Sequence, residues 1–177
     1  RDDLVTGVQT CALPISPAAA DRLYHLVRVG YYDGASVFRM VPGFVAQFGI
    51  GESPEAFGAW RSMPVPDEPV RVSNTAGRVS FARGGPQSRT TQLFINLTDD
   101  TRNTRLDTLM SGGIRGYPPV AEVIGGIRSV YAWNGSYGNA PSARQDWIAI
   151  GGRAWLEERY PGLSWILTAR IVAEWRE

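Results

Sequence analysis

Glycine and proline cut this chain into short pieces, and that punctuation limits what it can fold into. With 20 glycines and 12 prolines in 177 residues, apolar stretches are interrupted early, which favours short strands over long helices. Ser36–Val41 and Val45–Ile50 read as strands on either side of Pro42-Gly43. Arg78–Ala82 and Gln92–Leu97 flank the loop Arg83–Thr91, and Val120–Ile124, Trp147–Ile150 and Leu163–Val172 complete the expected strands. Gly51–Pro69 reads as irregular, and Thr98–Tyr117 as a long polar excursion in which the acidic pair Asp99-Asp100 sits on a solvated loop.

A helix is expected from Ser16-Pro17 to Gly30. Serine can accept the first free N–H groups, proline suits the first turn, and Leu23, Leu26 and Val27 share one face. Gly126–Trp133 reads as a second helix ending at Asn134-Gly135, and Ala154–Tyr160 as one or two helical turns stopped by Pro161. Many short strands with two or more modest helices imply a mainly β, single-domain fold, a closed or nearly closed antiparallel β-barrel.

Composition excludes several chemistries. The net charge is +1, and the basic residues, all arginine, are spread from Arg1 to Arg176 rather than clustered, so no nucleic-acid surface is expected. The single cysteine, Cys11, permits no internal disulfide and no paired-cysteine metal or redox site. The single histidine, His25, lies in the first helix without a nucleophile motif and reads as structural or surface. A histidine-rich zinc site is excluded by that count. No apolar run approaches the roughly 18 residues that span a membrane.

Two segments carry the chemistry. Phe38–Gly49 reads FRMVPGFVAQFG and Val79–Asn96 reads VSFARGGPQSRTTQLFIN. Gln92 precedes Phe94 by two residues, so both face one side of a strand. Taken singly, Phe44 and Phe94 would be core aromatics and Arg39 a surface or salt-bridged arginine. Together, in order, and followed by Leu106-Asp107 and by VAEVIGGIRSV at Val120–Val130, these segments resemble the hallmarks of the cyclophilin-type peptidyl-prolyl isomerases. The resemblance runs from about Ser16 to near the C-terminus.

The resemblance implies a cyclophilin-like antiparallel barrel and cis–trans isomerisation of X–Pro bonds in peptides and unfolded proteins, without cofactor, by a chain expected to be a monomer. It implies that Arg39 donates to the prolyl nitrogen of the twisted amide. Gln47 would bind substrate and orient that arginine, and Phe44 and Phe94 would hold the proline ring. Val45, Leu106 and Tyr117 correspond to pocket walls, Ala82 and Arg83 to the stretch whose backbone runs beside the peptide, and Gln92 to a further substrate contact. Two other functions compete: a cyclophilin-like module that binds proline peptides without turning them over, and an unrelated small-molecule barrel. Retention of Arg39 favours the enzyme.

Some positions depart from the family pattern. Val45 stands where many members have methionine, Tyr117 where many have histidine, and Arg105 where eukaryotic members often carry the tryptophan that matters for cyclosporin. An aromatic residue at the position of Tyr117 is found in a bacterial subgroup. The connection Thr108–Gly116 is longer than usual and is expected to form a flexible lip beside the pocket.

Val5–Ile15, VTGVQTCALPI, resembles the translation of a common short-read sequencing adapter. Residues 1–15 are therefore expected to be a non-native leader and 16–177 the isomerase domain. Family members have two strands before the first helix, so the expectation is a barrel lacking its first two native strands, with VTGVQ as the available substitute. On this reading the compartment, cytoplasmic or exported, is not encoded in what precedes Ser16.

Overall fold

The computed structural model describes residues 9–12, 15–111, 113–133 and 144–173. Its centre is a six-stranded antiparallel sheet with strands in the order β1-β8-β4-β5-β3-β2. These strands are β1 (Gln9–Ala12), β2 (Arg39–Val41), β3 (Val45–Phe48), β4 (Arg78–Phe81), β5 (Leu93–Asn96) and β8 (Pro119–Ile124). A separate small hairpin joins β6 (Met110–Ser111) to β7 (Ile114–Arg115). The helices are α1 (Pro17–Arg28), α2 (Pro54–Arg61), α3 (Thr101–Thr104) and α4 (Gln145–Arg159).

The sheet has two chemically distinct faces, and its register decides which is which. Met40 pairs with Ala46, Ala46 with Ile95, Ile95 with Val79, and Val79 with Ala121. Directly paired residues point the same way, so this row is one continuous apolar stripe. All five side chains are buried in the main core, with Phe38, Phe81, Leu97 and Val120. The adjacent row pairs Arg39 with Gln47, Gln47 with Phe94, and Phe94 with Ser80. It faces the other way, because side chains alternate along a strand.

Helix α1 forms as expected from its proline and its apolar face, but its N-terminus is held differently. Ser16 is buried and makes no side-chain cap bond. The Glu68 carboxylate instead accepts the N–H groups of Ala18 (3.0 Å) and Ala19 (3.3 Å). A carboxylate brings two oxygens and a full charge to the positive end of the helix, so it outcompetes a hydroxyl. At the other end, Gly30 and Tyr31 donate to the carbonyls of Val27 and Leu26, the paired bonds of a Schellman closure.

Two expected strands are absent. Trp147–Ile150 lies inside α4, where Ile148, Gly152 and Leu156 are buried at helical spacing and Trp147 and Ile150 are exposed. A short apolar run does not reveal its period until its partners are known. Helix α4 bends at Gly152 (φ 58°, ψ −151°), where any β-carbon would meet the Glu52 carbonyl oxygen at 2.6 Å. Leu163–Val172 forms only an isolated bridge, Trp165 to Ser36, with neighbouring backbone bonds to Gly34, Ala35 and Val37. The helix expected at Gly126–Trp133 is reduced to a short 3-10 turn at Val130–Ala132, and its expected end at Asn134-Gly135 lies outside the described residues.

Gly51–Pro69, expected to be irregular, contains α2. Its start is built from capping residues: Ser53 accepts the Ala56 N–H at 3.2 Å, Pro54 opens the helix and Glu55 sits in its first turn. Within the adapter-like stretch, Gln9–Ala12 pairs with Ile124–Ala121, and all four of its side chains are exposed. Val5–Val8, the rest of the stretch expected to pair, lies outside the described residues.

Glu68 also faces Arg89 at 3.2 Å, and the Arg89 side chain is fully buried. Glu68→Ala is expected to lower stability by about 3 kcal/mol, since it leaves a buried cation short of a partner and a helix end uncapped. Urea unfolding of the variant and wild type checks this; equal midpoints would refute it.

Candidate active site

The site grows from the row of the sheet that faces away from the main core. Val41-Pro42-Gly43-Phe44 reverses the chain between β2 and β3, closed by the Phe44 N–H to the Val41 carbonyl at 3.0 Å. Gly43 takes φ 64°, which suits the third position of a type II turn with proline at the second. This turn sets Arg39 directly opposite Gln47. Arg39 Nη1 donates to Gln47 Oε1 at 3.0 Å, and Gln47 Nε2 donates to Gln92 Oε1 at 2.9 Å. The first bond occupies the oxygen of Gln47 and so turns its amide nitrogen toward Gln92. Three residues read from the sequence thus form one directional relay.

Arg39 is half-buried, and burial lowers its pKa from the ordinary arginine value. A guanidinium still carries its charge at neutral pH. Its carbon lies 5.8 Å from the Phe44 ring centroid, over the aromatic face. Beside it, Val45, Phe94 and Leu106 form a buried apolar cluster of their own, flanked by Phe44, Ala82 and Tyr117. Phe94 and Tyr117 meet in a T-shaped contact with centroids 5.8 Å apart. The residues that the resemblance assigns to the site therefore lie in one neighbourhood, with the Arg83 side chain placed differently from the others. Its side chain is buried and turned inward, 3.5 Å from Asp67 and 4.9 Å from the Tyr117 centroid.

The connection Thr108–Gly116 leaves the pocket intact. It folds into the β6–β7 hairpin, and the Tyr117 N–H donates to the Leu106 carbonyl at 2.8 Å across its base. A cleft of about 640 Å³ continues from Gln47, Gln92 and Ala82 toward Phe57 and Arg61 of α2 and Asp146 and Ala149 of α4. Among the described residues, no three His, Cys, Asp or Glu side chains gather as metal ligands would, and no helix is long and apolar enough to cross a membrane.

Residues 13–149 match the family model described as cyclophilin type peptidyl-prolyl cis-trans isomerase/CLD. The chain belongs to that cyclophilin-type family. It is 30% identical over 138 residues to peptidyl-prolyl cis-trans isomerase A of Dickeya dadantii, covering 72% of this chain and 68% of the relative. It is 33% identical over 96 residues to a probable peptidyl-prolyl cis-trans isomerase of Brucella abortus, covering 48% of this chain and 49% of the relative. The chain thus spans about half the length of the Brucella relatives it matches. Among solved structures, a cyclophilin-type isomerase of Cryptosporidium parvum, crystallised in the presence of the dipeptide Ala-Pro, shares the fold. Its TM-score is 0.53 at 19% identity, over 71% of this chain and 77% of that one.

The polar layer that supports this cyclophilin-type pocket was not legible in the sequence. Asn74, Ser80, Asn96 and Asn103 are each fully buried. Asn74 Nδ2 donates to Asp107 Oδ1 and to the Tyr117 carbonyl, each at 2.8 Å, and its Oδ1 accepts from Ser80 and Asn96. Asn103 donates to the Phe44 carbonyl at 2.9 Å, which ties α3 to the Pro-Gly turn. The Leu106-Asp107 pair thereby acquires a physical meaning, since Leu106 faces the pocket while Asp107 accepts from Asn74 and Ser73. Asparagines in loops usually mark turns, and only the packed structure distinguishes these buried ones.

Asn74→Ala is expected to destabilise the protein by about 2–3 kcal/mol, because it strands several buried polar partners at once. Guanidinium unfolding measures the shift. A loss no greater than that of an exposed substitution would contradict the hub role.

Proposed function

We propose that this chain catalyses cis–trans isomerisation of X–Pro bonds in peptides and folding proteins. The observation that carries the proposal is the placement of Arg39, a cation oriented by Gln47 at 3.0 Å, beside the apolar cluster of Val45, Phe94 and Leu106. Rotation about the prolyl amide faces a barrier of about 18–20 kcal/mol because conjugation gives the C–N bond partial double-bond character. As the bond twists, conjugation is lost and the nitrogen gains a localised lone pair. A fixed N–H donor aimed at that nitrogen stabilises the twisted state more than either planar state, which is the condition for catalysis.

Each side chain has a role in this reading. The aromatic and aliphatic cluster takes the proline ring and excludes water from it. Gln47 is an orienting group for Arg39, and its relay to Gln92 limits the rotamers that both glutamines can adopt. Arg39 spends one nitrogen on Gln47 and retains other N–H groups, so it can approach the prolyl nitrogen and a neighbouring carbonyl together. Ala82, Arg83 and Gln92 border the cleft through which the rest of the peptide would pass. The chemistry is conformational, so no bond is broken and no cofactor is required.

Arg39→Ala is expected to lower kcat/KM by about 10²- to 10³-fold, the usual cost of removing a transition-state donor. Arg39→Lys should recover only part of this, because an ammonium lacks the planar fork. A protease-coupled isomerisation assay on a proline peptide provides the measurement. Full activity in Arg39→Ala would sink the mechanism, and peptide binding without turnover in the wild type would replace the enzyme with a binding module.

Arg105, exposed on the 3-10 turn before Asp107, stands at the position given to the cyclosporin-contacting tryptophan. Cyclosporin is accordingly expected to bind weakly. Titration followed by tryptophan fluorescence tests this, and tight binding would contradict it.

A further inference from the structure

We infer that Arg83, held by Asp67, is a positioning residue that sets the attitude of Tyr117 in the pocket. The inference rests on the preceding reading of the Val45–Phe94–Leu106 cluster as the place where the proline ring sits.

Arg83 follows β4, yet its side chain does not enter solvent. It is fully buried, with Nη1 3.5 Å from Asp67 Oδ1. Its guanidinium carbon lies 4.9 Å from the centroid of the Tyr117 ring. The same ring also meets Phe94, with centroids 5.8 Å apart and planes at 71°. Tyr117 is thus held between a cation, which prefers the electron-rich face of an aromatic ring, and an aromatic neighbour that prefers a T-shaped meeting. These two contacts fix the tilt of the ring. Backbone bonds already fix its Cα, through its N–H to Leu106 and its carbonyl to Asn74.

Asp67 serves the same arrangement in a second way. Its Oδ2 accepts the N–H of Gln87 at 2.8 Å. Gln87 has φ 49°, uncommon for a residue with a side chain. One carboxylate therefore anchors both the cation behind Tyr117 and the loop that borders the cleft. Burying such a pair is costly, and apolar residues would fill the volume without that cost. What an apolar residue would not supply is a directional preference for one face of the ring.

A bland alternative exists. Asp67 also lies 3.8 Å from Arg89, and on that reading the cluster serves only to hold the loop in place. The two readings differ in what Tyr117 does to the result. If Arg83 acts through Tyr117, its removal should matter little once the ring is gone.

The test is a double-mutant cycle with Arg83→Met, Tyr117→Ala and the double variant, each confirmed folded by thermal melting. Steady-state KM and kcat are measured on a succinyl-Ala-Ala-Pro-Phe anilide. Arg83→Met is expected to raise KM about five- to tenfold, with the smaller part of the loss in kcat. In the Tyr117→Ala background it should add about twofold or less. Arg83→Lys keeps a charge for Asp67 but loses the flat cation. It is expected to raise KM in the same direction, and it provides the reading if Arg83→Met does not fold. Wild-type KM in the folded Arg83 variants, or losses that multiply in the double variant, would overturn the inference. If the wild type binds the peptide without turning it over, the catalytic reading fails alone, and calorimetric Kd values for the same peptide then decide this one. If it neither binds nor turns over the peptide, both fall.

Discussion

The pairing of β2, β3, β5 and β4 places Arg39, Gln47, Phe94 and Ser80 in one row and Met40, Ala46, Ile95 and Val79 in the next. The second row is buried in the main core, and that burial holds the first row on the opposite face. A slip of one residue would invert every side chain, putting a guanidinium and two polar groups into the core. The apolar stripe therefore sets the register, and the register sets the site. The Arg39–Gln47 bond at 3.0 Å is a consequence of core packing on the far side of the same strands.

Behind the pocket the structure uses buried polar groups where more hydrocarbon would have been simpler. One set centres on Asn74, which connects Asp107, Ser80, Asn96 and the backbone of Tyr117. The other joins Asp67 and Glu68 to Arg83 and Arg89, whose side chains are fully buried. Apolar contacts resist compression but are nearly indifferent to rotation. Hydrogen bonds and ion pairs have preferred directions, and a cavity that must hold a ring in one attitude benefits from walls that have them. The cost is sensitivity, since losing one member strands several others.

The elements that the sequence misplaced share a cause. Trp147–Ile150 is an apolar run too short to reveal whether its period is two or near four, and it lies in the helix α4 that packs against α2. Leu163–Val172 alternates as a strand should, yet it forms a single bridge to Ser36. Ser16 looked like a helix cap and was displaced by Glu68, a residue remote in sequence. In each case a long-range partner decided what local preference left open.

The sequence by itself determined the family, the turn at Pro42-Gly43, the alternation that places Gln92 and Phe94 on one face, and the residue types suited to a prolyl bond. Those features are local, fixed by backbone sterics and side-chain period. Only the tertiary structure decided that Arg83 turns inward to Asp67 and Tyr117, that α2 and α4 wall the cleft, and that Asn74 and Asp107 meet beneath the pocket. These depend on which distant segments share one volume, and the energy of a buried charge or amide is set by its neighbours in space.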